Sequence, residues 1–408
     1  MGDFHQSGVI ATLHNLKNQP VEILEQQLVE FGKNRPIGLI LPSLFSELEG
    51  PALGGILDHL SKVEYLSEII IGLDRANEKQ FQFAKEYFSR LPQRHRILWN
   101  DGPRLLALDK KLREIELAPK ERGKGRNVWY CLGYALASKK AEVIGLHDCD
   151  IVTYDRSLLA RLVYPVANPY FSYVFSKGYY SRVSKGKMTG RVNRLLVTPL
   201  LLALKKTLGP QEYIDYLAAF RYPLAGEFAM RSHVVSDLRI PSDWGLEIGI
   251  LSEIRRNFSN KVICQTDLTD VYDHKHQTLS SDNPNGGLSK MSIDIAKAIF
   301  RKLATDGIIL SMETIRTVKA SYNRIALDLI QHYSDDAQMN GLTVDRHKEE
   351  EAVELFAANI MLAGQIFFEN PMEVPFIPAW SRVYSALPSF MDELKEAVEA
   401  DNAEIVGA

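Results

Sequence analysis

The sequence contains few cysteines and no long apolar run, and these shortages exclude several classes of protein. Its three cysteines, Cys131, Cys149 and Cys264, stand far apart and form no Cys-x-x-Cys pair, which argues against a disulfide scaffold and against a thiolate zinc site. No stretch approaches the roughly 18 consecutive apolar residues of a membrane span, and the N-terminus lacks a basic region followed by an apolar one. We therefore expect a cytoplasmic protein with no export signal and no transmembrane segment.

An excess of charge of one sign is also missing, because 48 lysines and arginines nearly balance 51 aspartates and glutamates. The formal net charge of −3 gives no overall argument for binding nucleic acid or an anionic membrane, although a local basic patch could serve a phosphorylated substrate. Hydrophobic residues make up 46% and charged residues 24%, as in ordinary soluble globular proteins. At 408 residues we expect one dominant domain with an extension.

Short apolar runs alternate with helical patterns over the first 150 residues. Apolar residues at helical spacing, such as Phe81, Ala84 and Phe88, mark amphipathic helices, and compact aliphatic runs mark buried strands. The predicted strands are 37–41, 68–74, 96–99 and 141–146, and the predicted helices are 51–60, 79–91 and 128–138. This alternation predicts an α/β fold with a mostly parallel sheet.

The pattern becomes less regular after residue 164 and then turns helical. We predict a strand at 171–175, a helix over about 191–208, a loop-rich stretch through Pro223 and Pro241, and helices that include 315–333 and 349–368. A polar, glycine-containing segment at 280–287 is the clearest boundary. The chain therefore divides into an N-terminal leader at 1–35, an α/β domain at 36–287 with halves at 36–160 and 161–287, and a helical C-terminal lobe at 288–408.

The strongest local motif is His147-Asp148-Cys149-Asp150, which follows a predicted strand. Side chains two residues apart on an extended chain point to the same side, so the two aspartates converge. Ligands of open α/β sheets bind at the carboxyl ends of the strands, and Mg²⁺ typically takes one or two protein carboxylates while phosphates supply other oxygens. We interpret the motif as a metal-diphosphate clamp; the alternative is an ordinary acidic turn, with His147 left outside the site.

A glycine-flanked basic turn, Gly123-Lys124-Gly125, opens the helix predicted at 128–138. Its ammonium and the free N–H groups of a helix start could bind a diphosphate. The turn is not a P-loop, because the earlier glycine is absent and no Ser or Thr follows the lysine, and this argues against an ATPase. The alternative is a solvated helix N-terminus.

Three further patterns carry groups suited to binding or catalysis. Glu227 and Glu247 lie in glycine-containing, partly apolar stretches, where a carboxylate could hold sugar hydroxyls, stabilise charge at a reacting centre or cap a helix. The stretch 273–276 offers imidazoles to a metal or phosphate, although His-x-His is an unspecific pattern. The stretch 185–194 clusters cations around two glycines, which suits an anionic acceptor or an ordinary basic surface loop.

Taken together and in order, seven motifs resemble those of the glucosyl-3-phosphoglycerate synthase family, over approximately residues 36 to 280. The motifs are Leu41-Pro42-Ser43-Leu44 with Glu47, Gly123-Lys124-Gly125, Asp148-Cys149-Asp150, Gly190-Arg191-Val192, Pro223-Leu224-Ala225-Gly226-Glu227, Gly245-Leu246-Glu247-Ile248-Gly249 and His274. The resemblance implies a GT-A fold for 36–287, with a nucleotide-sugar half and an acceptor half. It also implies transfer of glucose from UDP-glucose to the 2-hydroxyl of 3-phosphoglycerate with retention, in glucosylglycerate osmolyte synthesis.

The resemblance assigns a role to each site residue. The donor nucleotide would be bound by Pro42, Ser43, Leu44 and Glu47, with Lys124 on the phosphates and Asp148 on the nucleotide-sugar region. Mg²⁺ or Mn²⁺ would be held by Asp150 and His274, which makes Asp150 a catalytic residue together with Glu247, the residue that would orient donor sugar or acceptor. The phosphorylated acceptor would be bound by Gly190, Arg191, Val192, Asn193 and His276. A homodimer is also implied.

The sequence departs from the family pattern at three places. Asn193 stands where the family commonly has Thr, His276 replaces an acceptor-side Asn, and 74–77 reads Asp-Arg-Ala-Asn. The alternatives that stay open are a GT-A transferase using GDP-mannose, or one with glycerate or a glycan as acceptor. A non-catalytic nucleotide-sugar-binding regulator and a nucleotidyltransferase, which would release pyrophosphate, are further alternatives.

Overall fold

The computed structural model describes residue 6 and residues 8–274, 287–371 and 376–403. Nine strands within those ranges form the sheet. They are β1 (Ala11–Leu13), β2 (Ile37–Leu44), β3 (Leu66–Asp74), β4 (His95–Trp99), β5 (Val143–Leu146), β6 (Phe175–Ser184), β7 (Lys187–Met188), β8 (Phe228–Arg231) and β9 (Ile263–Tyr272).

The strand order across the sheet is β1-β9-β6-β8-β5-β2-β3-β4, and β7 forms a hairpin on β6. The pairs β5-β2, β2-β3 and β3-β4 are parallel, as are β1-β9 and β9-β6, whereas β8 runs antiparallel between β5 and β6. The carboxyl ends of β2, β3, β4 and β5 therefore meet at one edge of the sheet. That edge is where an open α/β sheet binds its ligands.

Sixteen α-helices occur in the described residues, with a π-helix at Val192–Val197 and a short 3₁₀ turn at Asn260–Val262. The helices are α1 (Val21–Gly32), α2 (Phe45–Leu48), α3 (Pro51–Leu60), α4 (Glu78–Phe88), α5 (Pro103–Glu114), α6 (Lys124–Ser138), α7 (Arg156–Ala167), α8 (Thr198–Leu208), α9 (Glu212–Ala219), α10 (Ser232–Ser236), α11 (Leu246–Asn257), α12 (Gly287–Thr305), α13 (Met312–Met339), α14 (Arg346–Glu369), α15 (Trp380–Ala386) and α16 (Phe390–Ala403).

The helices cover both faces of the sheet, and this explains the continuous apolar runs of the central strands. On β2 and β3, Leu39 and Ile69 belong to one buried cluster, while their neighbours Ile40 and Ile70 belong to a second cluster on the opposite face. Successive side chains of a strand point to opposite faces, so a strand covered on both sides must be apolar at every position. The predicted mostly parallel α/β fold is therefore confirmed.

Most of the predicted elements are confirmed, and three differences occur near the middle of the chain. The strand predicted at 171–175 is wrong, because β6 begins only at Phe175 and continues to Ser184. The stretch expected to be loop-rich holds α9, β8 and α11, and β9 was not predicted at all. Both β6 and β9 carry polar residues at buried positions, Lys177 and Gln265 among them, so neither shows an apolar run.

The two ends of the chain pack onto the α/β core. The segment expected to be a leader supplies β1, which pairs with β9, and α1, which packs against α7. Helices α12 to α14 pack on one another and on α8, whereas α15 and α16 return to α5, α6 and β4. There Asn402 bonds to both main-chain groups of Ile97 on the edge strand, at 3.0 and 2.9 Å. The C-terminal helices thus cover an otherwise open sheet edge.

Helix α14 is the one helix among the described residues whose length and composition would allow it to cross a membrane. Half of its most apolar stretch is buried inside the protein, against α12 and α13. A core helix of a globular protein has the same composition.

The packing of α15 against α6 depends on a glycine. Trp380 stacks on Trp129 with ring centroids 3.9 Å apart, and a Cβ at Gly133 would overlap the Trp380 indole. We expect Gly133→Ala to destabilise the protein by about 2 kcal/mol, since overpacking typically outweighs the gain in helix propensity. The free energy of unfolding in urea measures this effect. Gly55→Ala is the matched control, because Gly55 is helical and exposed with open space around it, and there we expect a small stabilisation. Equal effects of the two substitutions would contradict this account.

Candidate active site

Two distant segments meet where β5 ends. Ile151 forms an isolated antiparallel bridge with His274, and the main-chain N–H of Val152 donates to the carbonyl of Asp273 at 2.8 Å. This pairing continues β9 past its end and brings the motif after β5 alongside it. As a result His274 Nδ1 lies 3.4 Å from Asp150 Oδ2, although the two residues are more than 120 positions apart in the chain. The fold therefore brings together the two residues that were predicted to hold a metal.

The chemistry and spacing of this pair fit a divalent cation. Two adjacent ligands of an octahedral Mg²⁺ with bonds of about 2.1 Å lie about 3 Å apart, close to the separation seen here. Both side chains are about a quarter exposed, so neither is sealed from a ligand. No group of three or more His, Cys, Asp or Glu side chains suited to a metal occurs in the part of the chain that the structure describes. A two-residue set suits an ion whose remaining ligands come from phosphate oxygens and water.

Lys124, the first residue of α6, lies at the centre of a charged cluster. Its Nζ is 2.7 Å from Asp148 Oδ1 and 3.3 Å from Glu247 Oε1. Burial opposes the charge on both partners, but the mutual attraction wins: it raises the pKa of Lys124 above its usual value and lowers the pKa of Asp148. The predicted phosphate-binding lysine, the first aspartate of the motif and the predicted orienting glutamate thus share one site.

Two glycines allow this convergence by letting main chains approach closely. A Cβ at Gly125 would overlap the carbonyl oxygen of Pro241, so the start of α6 is pressed against the segment that leads to α11 and Glu247. A Cβ at Gly226 would overlap Asp148 Oδ2 and lie 3.1 Å from Lys124 Nζ. Alanine fits at neither position, because each space is already filled.

Glu227 is fully buried, so its carboxylate is not accessible to a ligand. Its two oxygens accept hydrogen bonds from Tyr180 at 2.7 Å and from Tyr272 at 2.6 Å, and the two tyrosine rings stack with centroids 3.6 Å apart. Burial, followed by the nearby Asp148, raises the pKa of Glu227. The structure therefore makes Glu227 a packed anchor for the turn that contains Gly226.

The residues predicted to bind the nucleotide lie at the carboxyl end of β2 and in α2. Pro42, Ser43 and Leu44 form the last positions of β2 and pair with the last residues of β3, and Glu47 lies in the first turn of α2. Next to them Asp74 ends β3, and burial raises its pKa to about 6. The four predicted residues therefore lie at the carboxyl end of β2 and in the helix that follows it.

The predicted acceptor residues lie on a separate turn. Gly190 adopts a left-handed conformation with φ of 75°, and Arg191, Val192 and Asn193 follow at the start of the π-helix. Arg191 is partly exposed, whereas its neighbour Arg194 is buried in an ion pair with Glu349, 2.5 Å apart. His276, the remaining predicted acceptor residue, lies outside the described residues.

Three side chains of β6, together with Tyr222 in the segment between α9 and β8, connect these regions and were missed by sequence reasoning. Arg182 packs against Gly190 and donates to the hydroxyl of Tyr222 at 3.1 Å, and the Tyr222 ring lies 5.1 Å from the ring of Tyr180. Beneath them Lys177 is buried and donates to the carbonyl of Ala225. These residues form no local motif, so no sequence signal marked them.

His147 is part of the core under the motif. Its ring is fully buried, lies edge-on to Tyr154 with centroids 5.5 Å apart, and finds no hydrogen-bond partner among the described residues. Burial lowers the pKa of His147 to about 3, although the Asp148 carboxylate acts in the opposite direction.

The fold matches solved structures of known glycosyltransferases. A structure of glucosyl-3-phosphoglycerate synthase from Mycobacterium tuberculosis, in complex with Mn²⁺, UDP-glucose and phosphoglyceric acid, superimposes with a TM-score of 0.53. The match has 22% sequence identity and covers 74% of this chain and 89% of that chain. This likeness shows that the chain has the GT-A fold of nucleotide-sugar glycosyltransferases, with Asp148, Asp150 and Lys124 at the carboxyl ends of its parallel strands.

Two curated relatives narrow the class, whereas no protein-family profile matches the chain. Glucosyl-3-phosphoglycerate synthase from Persephonella marina is 45% identical over 404 residues, covering 99% of this chain and all of the relative. The enzyme of the same name from Methanococcoides burtonii is 41% identical over 408 residues, with 98% of each chain covered. This chain belongs to the glucosyl-3-phosphoglycerate synthase family.

The buried His147 makes stability depend on pH. An unfolded histidine takes up a proton near pH 6.5, whereas the folded His147 does so only near pH 3, so the unfolded state binds more protons between these values. Stability therefore falls as the pH drops below about 6.5. We expect the loss of unfolding free energy between pH 7 and pH 5 to be smaller by about 2 kcal/mol in His147→Phe than in the wild type.

Urea denaturation at the two pH values measures that difference. His332→Gln removes an exposed histidine on α13 and serves as the control, with a pH dependence expected to match the wild type. The same pH dependence in His147→Phe as in the wild type would show that the buried ring does not resist protonation.

Proposed function

We propose that this protein transfers glucose from UDP-glucose to the 2-hydroxyl of 3-phosphoglycerate, with retention of the anomeric configuration. The products are glucosyl-3-phosphoglycerate and UDP. The observation that carries the proposal is the convergence of Lys124, Asp148 and Glu247 beside the Asp150–His274 pair at the strand edge. Two full-length relatives that carry the synthase name support the choice of substrates.

The donor nucleotide binds along the carboxyl end of β2. Pro42, Ser43 and Leu44 form the wall of its pocket, and the Glu47 carboxylate accepts hydrogen bonds from the uracil or the ribose. Asp148 contacts the nucleotide-sugar region. The parallel pairing of β2 with β3 positions this wall, because it sets the height at which both strands end.

Asp150 and His274 hold Mg²⁺ or Mn²⁺ against the diphosphate. When bound, the ion neutralises phosphate charge and stabilises UDP as the leaving group. The hard carboxylate oxygen of Asp150 and the imidazole of His274 suit either metal. The bridge between Ile151 and His274 sets the separation of the two ligands, so the metal site is preorganised by main-chain pairing.

Lys124 and Glu247 act at the reacting end of the donor. Lys124 shifts from its carboxylate partners toward the diphosphate, which offers an ammonium ion more negative charge. The release of Glu247 lets its carboxylate orient a hydroxyl of the donor sugar or acceptor near the anomeric carbon. We assign no covalent nucleophile, and Glu227 in particular is tied to two tyrosines.

The acceptor binds at the turn before the π-helix. Main-chain N–H groups at Gly190, Val192 and Asn193 and the guanidinium of Arg191 receive its anionic groups, and His276 contributes from the segment after β9. Arg194 is not available for this role, because Glu349 and the ring of Tyr333 already occupy its guanidinium.

We further propose that the protein is cytoplasmic and forms a homodimer. Three free, buried cysteines suit a reducing cytoplasm. We retain 36–287 as the catalytic domain with 288–408 as its helical lobe, and we predict a homodimer, which light scattering in solution measures. Exposed apolar side chains on the helical part, Ile309 and Met339, support an interface there.

The decisive experiment is a mass-spectrometric product assay of the purified protein with Mg²⁺ or Mn²⁺. UDP-glucose and GDP-mannose are each paired with 3-phosphoglycerate and with glycerate. We expect glucosyl-3-phosphoglycerate and UDP, and no product when the metal is chelated. In the same assay Asp150→Asn lowers kcat/KM by at least about 100-fold, because a carboxylate ligand of the metal is lost.

Asp270→Asn is the matched control for the Asp150 substitution. Asp270 lies near the end of β9, a few residues before His274, and it is exposed and paired with Lys17. Its substitution is therefore expected to leave activity near that of the wild type. Wild-type turnover in a folded Asp150→Asn variant would remove Asp150 from the metal site. A mannosyl product would keep the mechanism and change the donor.

Arg191→Ala tests the acceptor site. Loss of a charge-assisted contact to an anion raises the KM for 3-phosphoglycerate by about 10- to 100-fold and leaves the KM for UDP-glucose within about 3-fold of the wild type. Lys187→Ala, an exposed cation in the same basic segment, is the control and changes neither KM. An unaltered acceptor KM in Arg191→Ala would assign the anionic group to another residue.

A further inference from the structure

Lys177 is a buried lysine for which the roles above give no use. It lies on β6 with about 1% of its surface exposed, and its ammonium lies 5.8 Å from the ring centroid of Phe228. Its hydrogen bond within the described residues is to the main-chain carbonyl of Ala225. A lysine is seldom fully buried, because the ammonium loses its hydration, and burial here lowers the pKa of Lys177 to about 8. At neutral pH the side chain is still mostly charged.

The carbonyl that Lys177 binds belongs to the turn that supports the first aspartate. Ala225 precedes Gly226, whose main chain lies against the Asp148 carboxylate, and Glu227 follows, held by two tyrosines. The N–H of Gly178 on β6 also donates to the Glu227 carbonyl at 2.9 Å. Three consecutive residues of the turn are thus held in place, and β6 supplies a contact to two of them.

Lys177 also matters for the balance of charge in the site. The carboxylates of Asp148, Glu247 and Glu227 all favour the charge on Lys124, and those of Glu247 and Glu227 also favour the charge on Lys177. Without Lys177, three carboxylates would share one ammonium. Lys124 would then be held more firmly by its carboxylate partners and would be less free to move to a diphosphate.

We propose that Lys177 is a positioning residue for sugar transfer. Its ammonium holds the turn at 225–227 against Asp148 and provides a second positive charge beside Lys124, so that Lys124 and Glu247 are released to the substrates. This inference rests on the proposed function for its kinetic test and is independent of that function for its structural test.

The kinetic test compares Lys177→Met with the wild type. Methionine is similar in length but carries neither charge nor donor, and we expect kcat to fall about 30- to 100-fold while the KM for 3-phosphoglycerate stays within about 3-fold. Ser176→Ala is the matched control, since Ser176 is a fully buried neighbour on the opposite face of β6, where it bonds to Thr266 at 3.1 Å. It loses one buried hydrogen bond and keeps the wild-type kcat.

The structural test is hydrogen exchange of the 223–227 segment followed by mass spectrometry. In Lys177→Met we expect exchange there to increase about 10-fold or more, with no such change in Ser176→Ala. If Lys177→Met does not fold, Lys177→Gln, which retains a neutral donor, is measured in its place with the same expected directions and smaller changes.

Failure of the Lys177 role can be distinguished from failure of the proposed function. A kcat within about 3-fold of the wild type, or unaltered exchange of the 223–227 segment in the folded variant, overturns the positioning role. A wild-type protein that makes no glucosyl-3-phosphoglycerate defeats the proposed function, and the exchange result then decides the role of Lys177.

Discussion

The attraction between the Lys124 ammonium and the carboxylates of Asp148 and Glu247 holds the active site together, and much of the fold serves to make it possible. Acidic side chains from three separate elements would repel one another at this edge of the sheet. Asp148 follows β5, Glu227 precedes β8 and Glu247 lies in the first turn of α11, and the Lys124 ammonium at the start of α6 contacts the first and the last of them. The Lys124 ammonium that stabilises this cluster is also the group that we propose binds the donor diphosphate.

Placing Lys124 requires contacts far from the site. Close approach at Gly125 presses the start of α6 against residue 241, and the middle of the helix is held by Trp380, which stacks on Trp129. Helix α16 then ties the sheet edge to α6, because Glu399 bonds to Tyr134 at 2.7 Å as well as to two arginines of the neighbouring strand region. The last helices of the chain therefore help to position Lys124, which is distant from them in the sequence.

A second group of packed side chains lies on β6 and β9. Tyr180 of β6 and Tyr272 of β9 bind Glu227, and Arg182 of β6 packs against Gly190, so one layer of side chains contacts both the turn at 225–227 and the turn before the π-helix. Such a layer is rigid because stacked rings and short hydrogen bonds leave few alternative arrangements. The transfer that we propose requires both substrates to meet in a single geometry, which a shared support favours.

Much of the fold and half of the site follow from local patterns. The strands at 37–41, 68–74 and 96–99, the Asp148–Asp150 motif and the lysine at the start of α6 were all predictable, because each depends on neighbours within a few positions. The ordered set of motifs also identified the family, whose membership the full-length relatives establish.

Other features depend on contacts between distant segments. The start of β6 could not be placed, since its buried positions include Ser176 and Lys177 and so lack an apolar pattern. The buried cage of Glu227 and the Lys177 contact arise only when β6, β8 and β9 pair, and no local sequence reports that pairing. The sequence by itself determined which reactive groups the protein has and the order in which they occur. The tertiary structure decided which of them are accessible and which are buried, because strand pairing sets both the neighbours and the solvent exposure of each side chain.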